Sequence, residues 1–210
     1  MTRKIPCFCD NTFSVEVPEQ INLDADPHFL QEIQDGSFMN YTCTSCGKVH
    51  KPEFPITILW PSKNAFLEII PEIERLAFYR RKPEKRQKGG RPTNSTLIGY
   101  PEMAERLLVI QDDLEPMAVE ALKYYLMLKA QENSPEGEIS VWYRSMKEGA
   151  LEFHIQGLKE GSIAVMKIPL ALYTKTLQDY TREPKGELYT SLRFENYCSI
   201  QNMMRPTELL

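Results

Sequence analysis

Apolar and polar side chains alternate along Phe13-Ser14-Val15-Glu16-Val17, the period of two that a strand with one buried face imposes. The period then changes. Asp26 is placed as an N-cap and Pro27 as a first helical residue, Leu30 and Ile33 share a face, and Gly36 ends the run, so a short helix is predicted. Phe38 to Thr42 leads out of it. Phe54 to Trp60 and Phe66 to Ile70 are apolar runs joined by Pro61-Ser62-Lys63-Asn64, which predicts a hairpin.

Beyond residue 100 the spacing is helical: Met103, Leu107, Ile110, Leu114, Met117, Leu122, Tyr125 and Leu128 recur every three or four positions. Pro116 interrupts that pattern, so two helices are predicted, about 101–111 and a second started by Asp113 as N-cap. Three strands at 138–145, 150–157 and 162–168, joined by glycine-bearing turns, predict an antiparallel meander. Pro169 opens a last helix with Leu170, Tyr173, Leu177 and Tyr180 on one face, ending near Pro184 and Gly186. After Glu187 the pattern does not separate helix from strand.

Residues 80–95 break both periods with basic residues, glycine and proline, and read as an exposed loop. The fold class that follows is α+β: a small β-rich domain over 1–72, a basic linker over 73–96, and an α+β domain over 97–210 with helices packed on an antiparallel sheet. The composition of the 210 residues, 42% hydrophobic and 26% charged, is that of a folded chain. A formal charge of -4 excludes global attraction to nucleic acid or anionic membranes. No apolar stretch follows the basic N-terminus and no run approaches the ~20 residues of a membrane span, so the expected setting is the cytoplasm, without membrane contact.

In a reducing compartment, five cysteines, four of them in two tight pairs, argue for metal rather than disulfides. Cys43-Thr44-Ser45-Cys46-Gly47 has knuckle form: two intervening residues let both thiolates turn to one side, and glycine accepts the left-handed backbone after the second ligand. Cys7-Phe8-Cys9 is one residue shorter and has Asp10 where a glycine is expected. The expected ligands of a structural Zn2+ are Cys7, Cys9, Cys43 and Cys46, with His50 or His28 as alternatives to Cys7 in the fourth position. An all-thiolate set leaves no open coordination position, so the metal is read as structural rather than catalytic.

From Ile5 to about Pro71 the chain resembles the bacterial CpXC domain. The likeness rests on Cys7-Phe8-Cys9, Asn22-Leu23-Asp24-Ala25-Asp26-Pro27, Asp35-Gly36-Ser37-Phe38, Cys43-Thr44-Ser45-Cys46-Gly47 and the strands around Trp60 and Ile69, in that order. The first pair departs from the family pattern, having its proline before the cysteines. Residues 97–131 also look like the helical region that follows such domains. The resemblance implies a zinc-ribbon-like, metal-binding domain over 1–72 and supplies no reaction.

Arg80, Arg81, Lys82, Lys85, Arg86, Lys88 and Arg91 form a basic run that reads either as a solvated linker or as a clamp on a nucleic-acid backbone. No catalytic constellation emerges: His154 lies on the strand face opposite Leu151, Phe153 and Ile155, and Asp112, Asp113 and Glu115 read as helix-end chemistry. Cys198 reads as a small buried residue, and Tyr124, Tyr125, Trp142 and Tyr143 as core. The functional expectation is a non-enzymatic zinc-binding protein acting on a protein or ligand partner, with nucleic-acid binding as the alternative.

Overall fold

In the computed structural model, which describes residues 1–81, 94–133 and 138–204, the alternation at Phe13 becomes one half of a ribbon. β1 (Thr2–Pro6) and β2 (Thr12–Glu16) are antiparallel, with Ile5 opposite Phe13 and both buried. β1 has no sequence signal because only Ile5 of its five residues is buried. β3 (Gln20–Asn22) follows, then the expected helix α1 (His28–Asp35). Asp26 does not cap it with its side chain: Pro27 is the cap residue, and the Asp26 carbonyl accepts the Phe29 N–H. Gly36, at φ 77°, closes the helix in the left-handed conformation that a side chain would strain.

β4 (Tyr41–Thr42) and β5 (Val49–His50) make a short antiparallel pair. β6 (Ile56–Trp60) and β7 (Ala65–Ile70) form the expected hairpin, with Ile58 opposite Leu67, both buried. After α2 (Arg75–Arg80) comes β8 (Asn94–Ile98), so the strands lie in the order β3, β6, β7, β8, the outer two parallel to their neighbours. The segment read as a linker, 73–96, thus includes α2 and part of β8, while 82–93 lie outside the described residues. Tyr100 pins the chain between β5 and β6. Its hydroxyl accepts the Phe54 N–H (3.0 Å) and donates to the Phe54 carbonyl (3.2 Å), and its N–H donates to Glu53 (2.7 Å).

The chain divides into two compact units, Met1–Ala104 and Glu105–Leu210, with α3 (Tyr100–Gln111) beginning in the first and ending in the second. In the second, α4 (Pro116–Asn133) starts at its proline. Asp113 is not its cap; it takes the left-handed turn between the helices at φ 54°, and Glu115 accepts the Met117 N–H (3.4 Å) instead. β9 (Ser140–Lys147), β10 (Ala150–Gln156) and β11 (Ile163–Pro169) form the expected meander, in the order β9, β10, β11. α5 (Leu170–Arg182), α6 (Glu187–Ser191) and the short pair β12 (Arg193–Phe194) and β13 (Tyr197–Cys198) complete it. Val141, Tyr143, Leu151, Phe153 and Ile155 share one core with Met117, Leu122, Leu126, Tyr173 and Tyr189. Of the four aromatics expected in that core, Tyr143 is fully buried, but Tyr125 is 53% exposed because α4 buries its neighbours on the other faces.

Among the described residues of this unit four charged side chains are buried. Lys123 Nζ reaches Glu105 at 2.6 Å and Glu120 at 3.0 Å, and Arg106 donates to the Cys198 carbonyl (2.9 Å) and lies 3.9 Å from Glu120. The charges balance. The second oxygens are used too: Glu105 accepts the Tyr143 N–H and Glu120 the Ile200 N–H. Asp112 accepts the Met146 N–H (3.2 Å) and the Tyr143 hydroxyl, so the helix end carries strand-edge chemistry that the sequence did not announce. Lys123→Met strands two buried carboxylates and should lower the unfolding free energy by about 3–5 kcal/mol in urea titrations. A loss under ~1 kcal/mol would mean that the network carries little.

Candidate metal centre

Two turns present the cysteines. In the second, the Cys43 N–H donates to the Lys48 carbonyl (2.9 Å), the Gly47 N–H returns to the Cys43 carbonyl (2.9 Å), and Gly47 is left-handed at φ 72°. The first turn repeats this with one residue removed. The Cys7 N–H donates to the Asn11 carbonyl (2.8 Å), the Asp10 N–H returns to the Cys7 carbonyl (3.0 Å), and Asp10 is left-handed at φ 63°. Aspartate tolerates that conformation better than most side chains, which is how the missing glycine is replaced. β1 and β2 carry the first turn and β4 and β5 the second.

All four sulfurs lie within 4.8 Å of one another. Cys7 and Cys46 are 3.5 Å apart, and Cys9 and Cys43 3.8 Å. A sulfur tetrahedron about a cation at ~2.3 Å has edges of roughly 3.8 Å, so the donor set fits a thiophilic tetrahedral metal. Cys7 and Cys43 are buried while Cys9 and Cys46 are exposed, so each close contact joins a buried sulfur to an exposed one. The ribbon's own core is small: Ile5, Cys7, Phe13 and Cys43, with Val15, Tyr41 and Phe54 against it.

The sulfurs differ electrostatically. Asn11 Nδ2, 3.6 Å from Cys43 Sγ, together with the Cys46 and Ser45 N–H groups, pulls the Cys43 thiol down to about 6. Cys7 feels the Cys9 N–H most strongly, which lowers it, yet burial and the neighbouring sulfurs outweigh that and push it up to about 12. Donation from the Asn11 N–H lowers Cys9. Crowded thiols without a cation thus hold protons unequally.

Of the alternative ligands, His28 is exposed at the start of α1 against Phe29 and outside the sulfur cluster. His50 Nε2 is 3.1 Å from Cys7 Sγ, so the structure brings both Cys7 and its proposed substitute to one place. Sequence reasoning missed Asn11, which no spacing rule marks, and Phe8, which is 86% exposed between two cysteines with Lys48 Nζ 4.4 Å above its ring. In the basic run, Arg80 is exposed at the end of α2 and the Arg81 guanidinium lies 4.0 Å over the Phe78 ring. Lys82, Lys85, Arg86, Lys88 and Arg91 lie outside the described residues. Cys198 is half-buried, its Sγ 3.6 Å from Met117 Sδ, and His154 is half-buried beside Glu152 (3.3 Å).

Metal must displace the protons these thiols carry. Calorimetry in buffers of different ionisation enthalpy should therefore show proton release on Zn2+ binding, rising as pH is lowered from about 8 to about 5. The sign follows from Cys43, already ionised above about 6 and protonated below it. Release independent of pH would contradict this assignment.

Among the described residues no helix is long and apolar enough to cross a membrane. An uncharacterized protein of Treponema pallidum (strain Nichols) is 27% identical over 215 residues, spanning 95% of this chain and 97% of its own length. No solved structure matches. The family model described as CpXC protein matches residues 5–123, further than the motifs of the first third alone. With its paired cysteines brought into one cluster and more than half of its length matched, the chain belongs to the CpXC family.

Proposed function

We propose that this protein is a non-enzymatic zinc-binding protein whose metal stiffens the N-terminal ribbon for contact with a protein or ligand partner. The observation that carries this reading is the convergence of the Cys7, Cys9, Cys43 and Cys46 sulfurs within 4.8 Å. Four thiolates fill the positions zinc ordinarily uses, leaving none for a reacting water or substrate. Soft sulfur donors in a tetrahedron select zinc or iron over magnesium or calcium. Magnitudes favour a structural role. Structural zinc contributes roughly 10–16 kcal/mol in small peptides, against about 3–5 kcal/mol from the core of a small unit.

Phe8 supports the contact role. It stands exposed at the tip of the first turn, flanked by two ligands, where a bound metal would hold its backbone still. Exposed aromatics on rigid supports are the usual anchors of binding surfaces.

Elemental analysis of protein purified without added metal should find about one zinc per chain, absent in Cys43→Ser. Iron in its place would colour the protein and correct the metal's identity. Chelation should abolish amide-exchange protection in β1, β2, β4 and β5 while β6 and β7 keep theirs. Unchanged exchange after chelation, with no metal recovered from untreated protein, would remove the proposal.

A further inference from the structure

His50 is the one imidazole at the sulfur cluster among the described residues, and the place it occupies is specific. It comes from β5, opposite Tyr41, the strand pair that carries the second cysteine turn. Its ring nevertheless meets the first turn: Nε2 is 3.1 Å from Cys7 Sγ, closer than Cys46 Sγ at 3.5 Å. Two aromatic contacts hold it there, the edge of Phe13 (centroids 5.7 Å apart, 60°) and the stacked face of Phe8 (6.3 Å, 20°). Phe13 belongs to the ribbon core, so the ring is placed by packing as well as by the sulfur.

Resting on the metal-binding reading above, we infer that His50 is a fifth donor of this centre: Nε2–H donates to the Cys7 thiolate while that thiolate is a ligand, and Nε2 takes its coordination position when Cys7 is removed or leaves the metal as the neutral thiol, its sulfur taking a proton from solvent. The chemistry needs one neutral imidazole. Its single N–H proton sits on Nε2 when it faces sulfur; on exchange it passes through solvent to Nδ1, and the Nε2 lone pair faces the metal along the direction of the former hydrogen bond. Coordination changes from four thiolates to three thiolates and one imidazole, both common for tetrahedral zinc. The distance to be covered is small. A metal at ~2.3 Å from sulfur and ~2.0–2.1 Å from imidazole nitrogen lies within a side-chain rotation of an Nε2 already in contact with that sulfur. Among the described residues the imidazole hydrogen bond goes to Cys7 and none goes to Cys46, which makes Cys46 the internal control.

The test is Co2+ and Zn2+ binding to the full chain, wild type against Cys7→Ala, Cys46→Ala, His50→Ala and Cys7→Ala/His50→Ala. Cys7→Ala should still bind one Co2+, with thiolate charge-transfer absorption reduced by about a quarter and the visible bands moved to shorter wavelength, as one sulfur of four gives way to nitrogen. His50→Ala should keep the wild-type spectrum with affinity reduced roughly 10–100-fold, the usual loss for an outer-shell partner. The double variant should bind at least ~100-fold more weakly than Cys7→Ala, and Cys46→Ala should be weaker than Cys7→Ala. Equal affinity and spectrum for Cys7→Ala and the double variant overturn the inference. Wild-type zinc protein gives a second reading that needs no variant to fold. Long-range 15N NMR should place the His50 proton on Nε2, and a proton on Nδ1 alone overturns it. Wild-type protein that takes up neither metal instead removes the metal-binding reading itself, and this inference with it.

Discussion

Four sulfur atoms cannot share a space of 4.8 Å as four bare thiolates, and the architecture of the first unit follows from managing that crowding. Each turn closes on itself with two backbone hydrogen bonds and one left-handed residue, Asp10 or Gly47, so that both of its sulfurs face inward. Amide donors from Asn11 and from the turns spread the negative charge, and a cation at the centre would neutralise it. Because Cys7 and Cys43 are half of the ribbon's buried set, the chemistry of the cluster and the packing of the ribbon are one problem.

Tyr100 and Glu53 connect this local problem to the rest of the unit. The Tyr100 hydroxyl grips both backbone groups of Phe54, whose side chain packs on the ribbon core. The exposed position of Phe8 then has a rigid frame behind it: two cysteines, the ribbon, and a backbone clamp at the far end of β5.

The second unit solves a different problem, the open edge of a three-stranded sheet. Glu105 on α3 and Asp112, one residue past its end, accept the Tyr143 and Met146 N–H groups of β9, an edge strand whose register shifts between those two residues. These two carboxylates thus close part of one edge strand, and Lys123, Glu120 and Arg106 keep the buried charge balanced. Burial still pushes Glu105 up to about 7 against the pull of Lys123. The opposite edge, β11, stays exposed through Ile163, Val165 and Met166.

Much of this was legible in the linear pattern because it is local. The glycine after Cys46, the Gly36 helix stop, the 56–70 hairpin, the meander and the break at Pro116 each depend on residues a few positions apart, whose backbone preferences act alone. Asp26 and Asp113 were misread because two residues with good cap chemistry adjoin prolines and turns whose own backbone demands came first. β1 gave little signal because only Ile5 of it is buried, and β3 and β8 because each is set by pairing with a parallel neighbour far along the chain. The cysteine spacings alone pointed to a metal and to the two turns that would hold it. That a C-x-C turn can present its sulfurs as a C-x-x-C turn does, that Cys7 and His50 occupy one place, and that Lys123 belongs in a core required the folded chain. Those outcomes depend on side chains 18 to 43 residues apart meeting at 2.6 to 3.8 Å, and no local preference encodes such a meeting.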